Sequence, residues 1–415
     1  MQDFSALCVR KGEFLLPGKE TDMQAFSVIA CDQFTAQPDY WARIRDRIGK
    51  KPSALQMILP ECWLSESSEQ IPKIHEMMHA YLRDGVLSRR VDGMVLLRRT
   101  TASGPRLGLV ACADLEQYDY MPGSLSPIRA TEATISQRIP ARLQIRESAP
   151  LELSHVLMLA DDPSHSLIEP AFAARDDAKK LYDFELMENG GHLEGWALDD
   201  QEALNSVFHA IADLTQKAGK NGIVFAVGDG NHSLAAARAH WLKVRETLSA
   251  EERESHPARF AMVEIVNIYD EALHFEPIHR VLFHINAAKV RDFLAPCAPV
   301  PDYEKPDLIL VHQQGDLPLR LTKPLNPLTV ASVQTLLDAN TGFDLDYIHG
   351  EAVVRTLVAE SDAVGILLPA MDKSTLFPAV RALGVLPRKT FSMGEANEKR
   401  YYVESRRIIE ESVCR

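Results

Sequence analysis

One stretch of sequence decides the fold of this chain: Gly222-Ile223-Val224-Phe225-Ala226-Val227-Gly228-Asp229-Gly230-Asn231-His232-Ser233-Leu234-Ala235-Ala236-Ala237-Arg238-Ala239-His240-Trp241. Its first part is apolar and mostly branched, which predicts a short buried strand over 223–227. A Gly-Asp-Gly turn follows, and the alanine-rich run after it predicts a helix with Asn231 or Ser233 as its cap. Since 202–218 predicts a helix before the strand, the unit is typical of an α/β to α+β protein with mixed sheets flanked by helices.

The turn also brings together side chains that can act chemically. Asp229, Asn231, His232 and Ser233 stand at the predicted start of a helix, where unsatisfied backbone N–H groups attract anions. One interpretation is a phosphate-binding corner. The other is a capped turn in which His232 satisfies a backbone carbonyl, and spacing alone leaves both open.

Composition excludes several classes of partner. The 415 residues carry 45 basic and 58 acidic side chains, a formal net charge of −13, which argues against nucleic acids and anionic membrane surfaces. The 6 cysteines lie far apart, without zinc spacing, which favours reduced thiols. The beginning of the chain has no apolar signal core, and no run approaches the roughly 20 apolar residues of a membrane span. We therefore expect a cytoplasmic protein.

Polar groups follow predicted strands at further places in the first half. Asp32 and Gln33 come after the apolar run 25–30 and face a cleft in one interpretation, whereas a simple helix-entry loop is the other. The segment 128–134 carries Arg129 and Glu132. After it, Arg138, Arg142 and Arg146 recur every four residues, on one face of a helix that begins near Pro140. Such a row suits phosphate or carboxylate binding, or a solvated face paired with acids.

The second half adds four basic residues. His279 and Arg280 are neighbours on a predicted strand, so they point to opposite faces. Lys373 stands at a predicted helix start, and Lys389 lies in the basic loop 386–394. The pattern predicts a small α+β subdomain over 285–361, inserted in a main α/β domain formed by 1–284 and 362–415.

Common catalytic motifs are missing from the sequence. There is no G-x-x-x-x-G-K-[ST], G-x-S-x-G or H-E-x-x-H, which excludes the familiar P-loop, hydrolase and metalloprotease sites. Gly228 and Gly230 match only part of the dinucleotide fingerprint. Asp229 and His232 offer two possible metal ligands, which do not make a metal site.

The ordered motifs resemble a bacterial family known as domain of unknown function ten-fifteen. The resemblance covers nearly the whole chain. The matching segments are 30–35, 128–134 with Arg142 and Arg146, 161–163, 227–235, 277–280, 346–350, 373–375 and 386–394.

The Asp-Gly-x-His signature of that family is similar to ParB/sulfiredoxin-like proteins. These include ADP- or ATP-dependent kinases of free serine, whose Asp-Gly-His-His-Arg turn handles nucleotide phosphates. The resemblance implies a ParB/sulfiredoxin-like core with large insertions. This chain has Asn231 in place of the first His and Ser233 in place of the Arg, so another cation must supply the phosphate clamp.

The resemblance implies an enzyme of phosphoryl transfer or phosphoester chemistry on a small polar metabolite, with serine or phosphoserine as candidates. ATP or ADP with Mg²⁺ would be the cofactor, and a phosphorylated small molecule the partner. Its expected catalytic residues are Asp32, Glu132, Asp229 and His232. Its expected ligand-binding residues are Gly230, Asn231, Ser233, Arg129, Arg142, Arg146, His279, Lys373 and Lys389. The alternative is a non-catalytic sensor or regulator that binds a nucleotide or phosphometabolite at the same turn.

Overall fold

A computed structural model describes residues 4–134, 139–301 and 304–409 of the chain. The chain divides into two compact units. The first unit comprises Met1–Leu273 together with Glu395–Arg415, and the second comprises His274–Gly394. The C-terminal segment therefore returns to the first unit.

The first unit contains helices and strands in mixed order. Its helices are α1 (Met23–Phe26), α2 (Pro38–Ile48), α3 (Ser67–Arg83), α4 (Ile139–Arg146), α5 (Ile168–Ala173), α6 (Gln201–Ala218), α7 (Asn231–Val244) and α8 (Ala250–Ser255). Its strands before the second unit are β1 (Val9–Arg10), β2 (Gly12–Leu16), β3 (Val28–Ile29), β4 (Arg89–Thr101), β5 (Gly104–Asp114), β6 (Tyr118–Asp119), β7 (Ile128–Ala130), β8 (Leu151–Glu152), β9 (Leu157–Ala160), β10 (Lys180–Glu185), β11 (His192–Leu198), β12 (Phe225–Asp229) and β13 (Phe260–Asn267).

The main sheet of this unit is mixed and is buried on both faces. Its strands lie in the order β10-β11-β4-β5-β13-β9-β12-β7-β6, with β1 and β2 added beside β5 and β4. Strand β4 shows how the sequence achieves this, because side chains alternate between the faces of a sheet. Val95 and Leu97 enter one apolar cluster, whereas Met94 and Leu96 enter the other. A continuous apolar run is what a strand with two covered faces requires.

The second unit is built on its own antiparallel sheet. Its strands are β14 (Phe275–Phe283), β15 (Cys297–Pro299), β16 (Leu308–His312), β17 (Gly315–Leu321), β18 (Asp344–His349), β19 (Ala363–Leu367) and β20 (Phe391–Met393). They lie in the order β15-β17-β16-β19-β14-β18, with β20 beside β14. Its helices are α9 (Ala287–Phe293), α10 (Thr329–Asp338), α11 (Glu351–Glu360) and α12 (Leu376–Leu383).

The C-terminal segment adds two short strands to the first unit. These are β21 (Tyr401–Tyr402), which pairs with β3, and β22 (Arg406–Arg407), which pairs with β8. Both pairings are antiparallel. They place residues near position 400 beside residues near position 30 and position 150.

The predicted class, mixed sheets flanked by helices, is confirmed. The unit boundary differs from the predicted subdomain at 285–361. Strands β14 and β19 pair with each other, so both belong to the second sheet. Throughout the described part of the chain, no helix has the length and apolar character needed to cross a membrane.

Candidate functional site

The Asp229 turn lies where β12 meets α7. A bulge between Val227 and Asp229 interrupts the pairing of β12 with β9 and bends the end of the strand. Gly230 then adopts a left-handed conformation, with φ of 75°, and forms the N-cap. A Cβ there would lie 2.9 Å from the backbone of Val156, so glycine is required on two grounds.

The predicted cap at Asn231 or Ser233 is wrong. Among the described residues, no side chain caps α7, because Asn231 is already the first helical residue. The first helical hydrogen bond runs from Leu234 N–H to the Gly230 carbonyl, at 3.0 Å. A 14-residue helix therefore begins with backbone donors that are not satisfied by a cap, which is the arrangement that attracts an anion.

Strand register places a buried histidine against this turn. Asp229 pairs with Leu157, so His155, two residues earlier on the same segment, lies beside the start of α7. Its Nε2 is 3.3 Å from Ser233 Oγ and 3.6 Å from Asp32 Oδ2. Its Nδ1 is 2.7 Å from Tyr402 Oη. The His155 side chain is only 4% exposed, so these contacts replace its water.

Asp32 reaches the same place from the N-terminal part of the chain. It follows β3, whose pairing with β21 also brings Lys399 to this end of the pair, because Ala30 N–H donates to the Arg400 carbonyl at 2.9 Å. The amide of Gln33 donates to Asp32 Oδ1 at 2.9 Å. Lys399 Nζ is 3.3 Å from Asp229 Oδ2, which gives the turn a cation.

Arg400 holds this C-terminal segment in position. Its guanidinium donates to the Ser154 carbonyl at 2.9 Å, one residue before His155. It also forms ion pairs with Glu264 at 2.6 Å and Glu404 at 2.8 Å, and all three side chains are buried. Glu264 is therefore a partner of this structural arginine.

The charges of Asp32 and His155 stabilise each other. Burial raises the pKa of Asp32, but the positive charge of His155, the amide of Gln33 and the charges of Lys399 and Arg142 together bring it below its usual value. Burial likewise lowers the pKa of His155, but the nearby Asp32 outweighs it and raises this pKa to about 9. At neutral pH the pair is therefore a carboxylate and an imidazolium.

Two members of the predicted arginine row, Arg142 and Arg146, lie in α4 and line a cavity next to His155. The cavity has a volume of about 110 Å³, and Arg142, Arg146, His155 and Ser233 are among its lining residues. Arg142 forms an ion pair with Glu61, and Arg146 Nη1 is 2.5 Å from Glu152 Oε2. Arg138, the third member of the row, lies outside the described residues.

The guanidinium of Arg129 and the residue Glu132 lie near opposite ends of β12. The guanidinium of Arg129 donates to the carbonyls of Ser126, at 2.8 Å, and Asn221. Asn221 precedes β12, so these bonds lie at the opposite end of that strand from Asp229. Glu132 follows Thr131, whose hydroxyl donates to the Val227 carbonyl at 2.7 Å, next to the turn.

Three other predicted ligand residues belong to the second unit. His279 is buried on β14, and its Nδ1 accepts a hydrogen bond from Leu368 N–H at 3.1 Å. Lys389 adopts a left-handed conformation with φ of 56°, and its carbonyl accepts from Arg280 at 3.0 Å. Lys373 begins the short 3₁₀ turn Lys373–Thr375. Their predicted roles stay predictions.

Sequence reasoning missed His155, Lys399 and Tyr402. Nothing local marks these residues, because strand pairing brings them to Asp229 from distant parts of the chain.

Comparisons with known proteins give a family. A family model described as "Protein of unknown function (DUF1015)" matches residues 15–340. A search of the curated proteins found no match.

Among solved structures, one titled as a free serine kinase in complex with AMP is 10% identical, with a TM-score of 0.38, over 70% of this chain and 93% of its own. A conserved hypothetical protein from Pyrococcus furiosus is 10% identical, with a TM-score of 0.34, over 66% of this chain and 90% of its own. SbnI from Staphylococcus aureus, with a C-terminal truncation, is 10% identical, with a TM-score of 0.37, over 66% of this chain and 82% of its own. At these scores the neighbours carry no argument about activity.

Proposed function

We propose that this chain, which belongs to the DUF1015 family, is an enzyme of phosphoryl transfer or phosphoester chemistry on a small metabolite. One observation carries the proposal. A carboxylate, an imidazolium and a lysine, from positions 32, 155 and 399, meet at the start of α7. Phosphoryl transfer needs positive groups on the phosphoryl oxygens and a base at the attacking hydroxyl, and this arrangement offers both.

The start of α7 is the proposed phosphate seat. Its backbone N–H groups after Gly230 point out of a helix without a side-chain cap in the described chain. Lys399 adds a positive charge beside this seat, because its Nζ is 3.3 Å from Oδ2 of Asp229, whose side chain is 23% exposed. Lys399 thus fills the place of the arginine that Ser233 replaces in the related signature.

Asp32 is the proposed base towards the hydroxyl. It is deprotonated at neutral pH, and its side chain is 23% exposed, so a substrate can reach it. His155 orients this carboxylate and is itself held by Tyr402 Oη at 2.7 Å. Glu132, one residue from a contact with β12, is the alternative base.

His232 keeps the proposed role of hydrogen-bond donor or general acid/base. It lies in the first turn of α7, half-buried, next to the phosphate seat. Asp229 would orient it or hold Mg²⁺, since this ion is bound through one or two carboxylates together with substrate phosphates. In the described residues, the cluster with metal-ligand spacing is elsewhere, at Asp183, His192 and Glu194. A dedicated protein cage for the ion is therefore not part of the proposal.

We further propose ATP or ADP as the phosphoryl donor and serine or phosphoserine as the metabolite. The same proposal includes a ParB/sulfiredoxin-like core and a cytoplasmic location. The contacts of Arg129 with Ser126 and Asn221 favour a structural role, so the proposed clamp does not use it.

A binding and turnover screen tests the proposal. The full chain is incubated with ATP or ADP, Mg²⁺ and small hydroxyl metabolites, and thermal shifts and phosphorylated products are measured. We expect a shift with nucleotide and a product that disappears in Asp32→Asn. Full turnover in His232→Ala would remove His232 from the catalytic group. A shift without any product would leave a nucleotide sensor, and the absence of any shift would refute the site.

A further inference from the structure

The walls of the cavity beside His155 are more apolar than the binding of a very polar metabolite such as serine would require. Most of its lining is aliphatic, including Met57, Leu59, Leu64, Met78, Leu151 and Leu153. Its volume is about 110 Å³. An apolar cavity of about 150 Å³ is known to bind benzene, so this one suits a branched or small cyclic group of roughly four or five carbons.

A buried cluster in the cavity wall has more positive than negative charge. Glu152 pairs with Arg146 at 2.5 Å through one oxygen and with Arg406 at 2.8 Å through the other. Met262 N–H also donates to Glu152, at 2.8 Å. One carboxylate thus faces two guanidinium groups, and the cluster keeps one uncompensated positive charge.

That charge is best placed on Arg146. On Arg406, Nη2 is already used, because it donates to the carbonyls of Pro257, at 2.9 Å, and Phe260. By contrast, Nε and Nη2 of Arg146 are buried and find no hydrogen-bond partner among the described residues. A buried donor left unpaired costs free energy and calls for a partner.

The neighbourhood of Arg146 contains a second unpaired atom. His240 Nδ1 is also buried without a hydrogen-bond partner in the described chain. Burial, and then the charge of Arg146, lower the pKa of His240 to about 4, so His240 stays neutral. His240 therefore adds no charge to the cluster around Arg146.

We propose that this cavity binds a small carboxylic acid with a branched or cyclic apolar body, and that its carboxylate pairs with the Nε and Nη2 edge of Arg146. Those two nitrogens form the parallel fork that grips a carboxylate through both oxygens. Since both are shielded from solvent, binding of the acid requires the guanidinium to turn from the wall into the cavity. That this acid is also the hydroxyl substrate, reacting at the His155 end of the cavity, rests on the proposed function.

Binding measurements without nucleotide test this inference separately from turnover. Isothermal titration compares isovalerate with isovaleramide, which has the same shape and no charge, and with acetate and serine. We expect isovalerate to bind most tightly and isovaleramide to lose about 10- to 100-fold in affinity, as the loss of a charged hydrogen-bonded pair implies.

Variants locate the binding. Arg146→Gln should weaken isovalerate by the same factor, whereas Arg83→Gln, at an exposed arginine paired with Asp84, should not change it. Ala149→Leu should exclude the acid by filling the cavity, because Ala149 is a lining residue. If a variant fails to fold, the acid and amide series on the natural chain still decides.

The outcomes of the two proposals differ. Equal binding of acid and amide, or no binding of any acid, overturns the cavity assignment even if the enzyme phosphorylates serine. Selective binding of the acid without any phosphorylated product supports the cavity and counts against the phosphoryl-transfer proposal alone.

Discussion

The Asp229 turn of the first unit and the Asp372 turn of the second both follow a buried strand, and both open a helix. At the second turn the side chains of Asp372, Ser374 and Thr375 bond within the turn. Asp372 accepts from Ser374 N–H at 2.9 Å and from Ser374 Oγ at 2.7 Å, and Thr375 donates to the Asp372 carbonyl at 2.6 Å. The result is an exposed, self-contained cap.

The first turn is open towards the rest of its unit. Asp229 pairs with Lys399, and Ser233 lies 3.3 Å from His155, so its contacts reach residues far away in the chain. Helix α7 itself has no side-chain cap within the described chain. Polar residues at a strand end therefore indicate a site only when they contact residues outside their own turn.

The largest expected contrast is in turnover. Asp32→Asn should reduce the rate of phosphoryl transfer by about 100- to 10,000-fold, because it removes the proposed base. Asp372→Asn should change it by less than about twofold, as an exposed substitution does. Single-turnover rates measure both, with circular dichroism to show that each variant is folded. Similar losses of rate in the two variants would contradict the assignment of a catalytic site to the Asp229 turn alone.

The next contrast concerns the backbone of the open turn. Gly230→Ala should lower the free energy of unfolding by roughly 2 to 4 kcal/mol, because it combines left-handed strain with a clash against Val156. Gly85, with φ of 73°, is also in the positive-φ range but has nothing within 4 Å of an added Cβ. Gly85→Ala should cost only about 1 kcal/mol. Urea unfolding measures both, and equal costs would mean that the turn tolerates displacement from Val156.

The two turns should also respond to pH on opposite sides of neutrality. The pKa of His155, about 9 in the folded chain, lies above its unfolded value, so its stabilisation is complete below about pH 6.5 and is lost as the pH rises through 9. The pKa of Asp372 is lowered by its hydrogen bonds to Ser374, so its contribution is lost only in acid.

Unfolding free energies at pH 6.5 and pH 9.5 measure the first effect. The natural chain should lose more stability over this interval than His155→Gln, by on the order of 1 to 3 kcal/mol. Asp372→Asn should follow the natural chain. If His155→Gln shows the same slope as the natural chain, His155 is not the group that titrates.

The local structure of the Asp229 turn can be predicted from the sequence. Strand, turn and helix at 222–241 follow from apolar runs and glycines, and Asp32 is singled out because it follows a strand. The strand proves to be shifted by two residues, to Phe225–Asp229, because a bulge lies at its end. Local pattern does not contain that bulge.

The contacts between this turn and the rest of the first unit depend on strand pairings between distant segments. His155 reaches Asp229 through the register of β9 and β12, and Lys399 reaches Asp32 through β3 and β21. No spacing in one sequence encodes which strands become neighbours. Arg129 shows the same limit, since the sequence does not reveal that its guanidinium binds the carbonyl of Asn221.

The smallest expected contrast is between the two helix starts themselves. Asp372→Ala removes a side chain that caps its turn and should cost about 1 kcal/mol of stability in the second unit. Asn231→Ala should cost less than about 0.5 kcal/mol, because Asn231 caps nothing and its buried Oδ1 has no hydrogen-bond partner among the described residues. Hydrogen exchange of α7 and α12 amides assigns each loss to its own unit. If Asn231→Ala costs as much as Asp372→Ala, the Asp229 turn is an ordinary capped turn, and its helix start has no donors to spare for a phosphate.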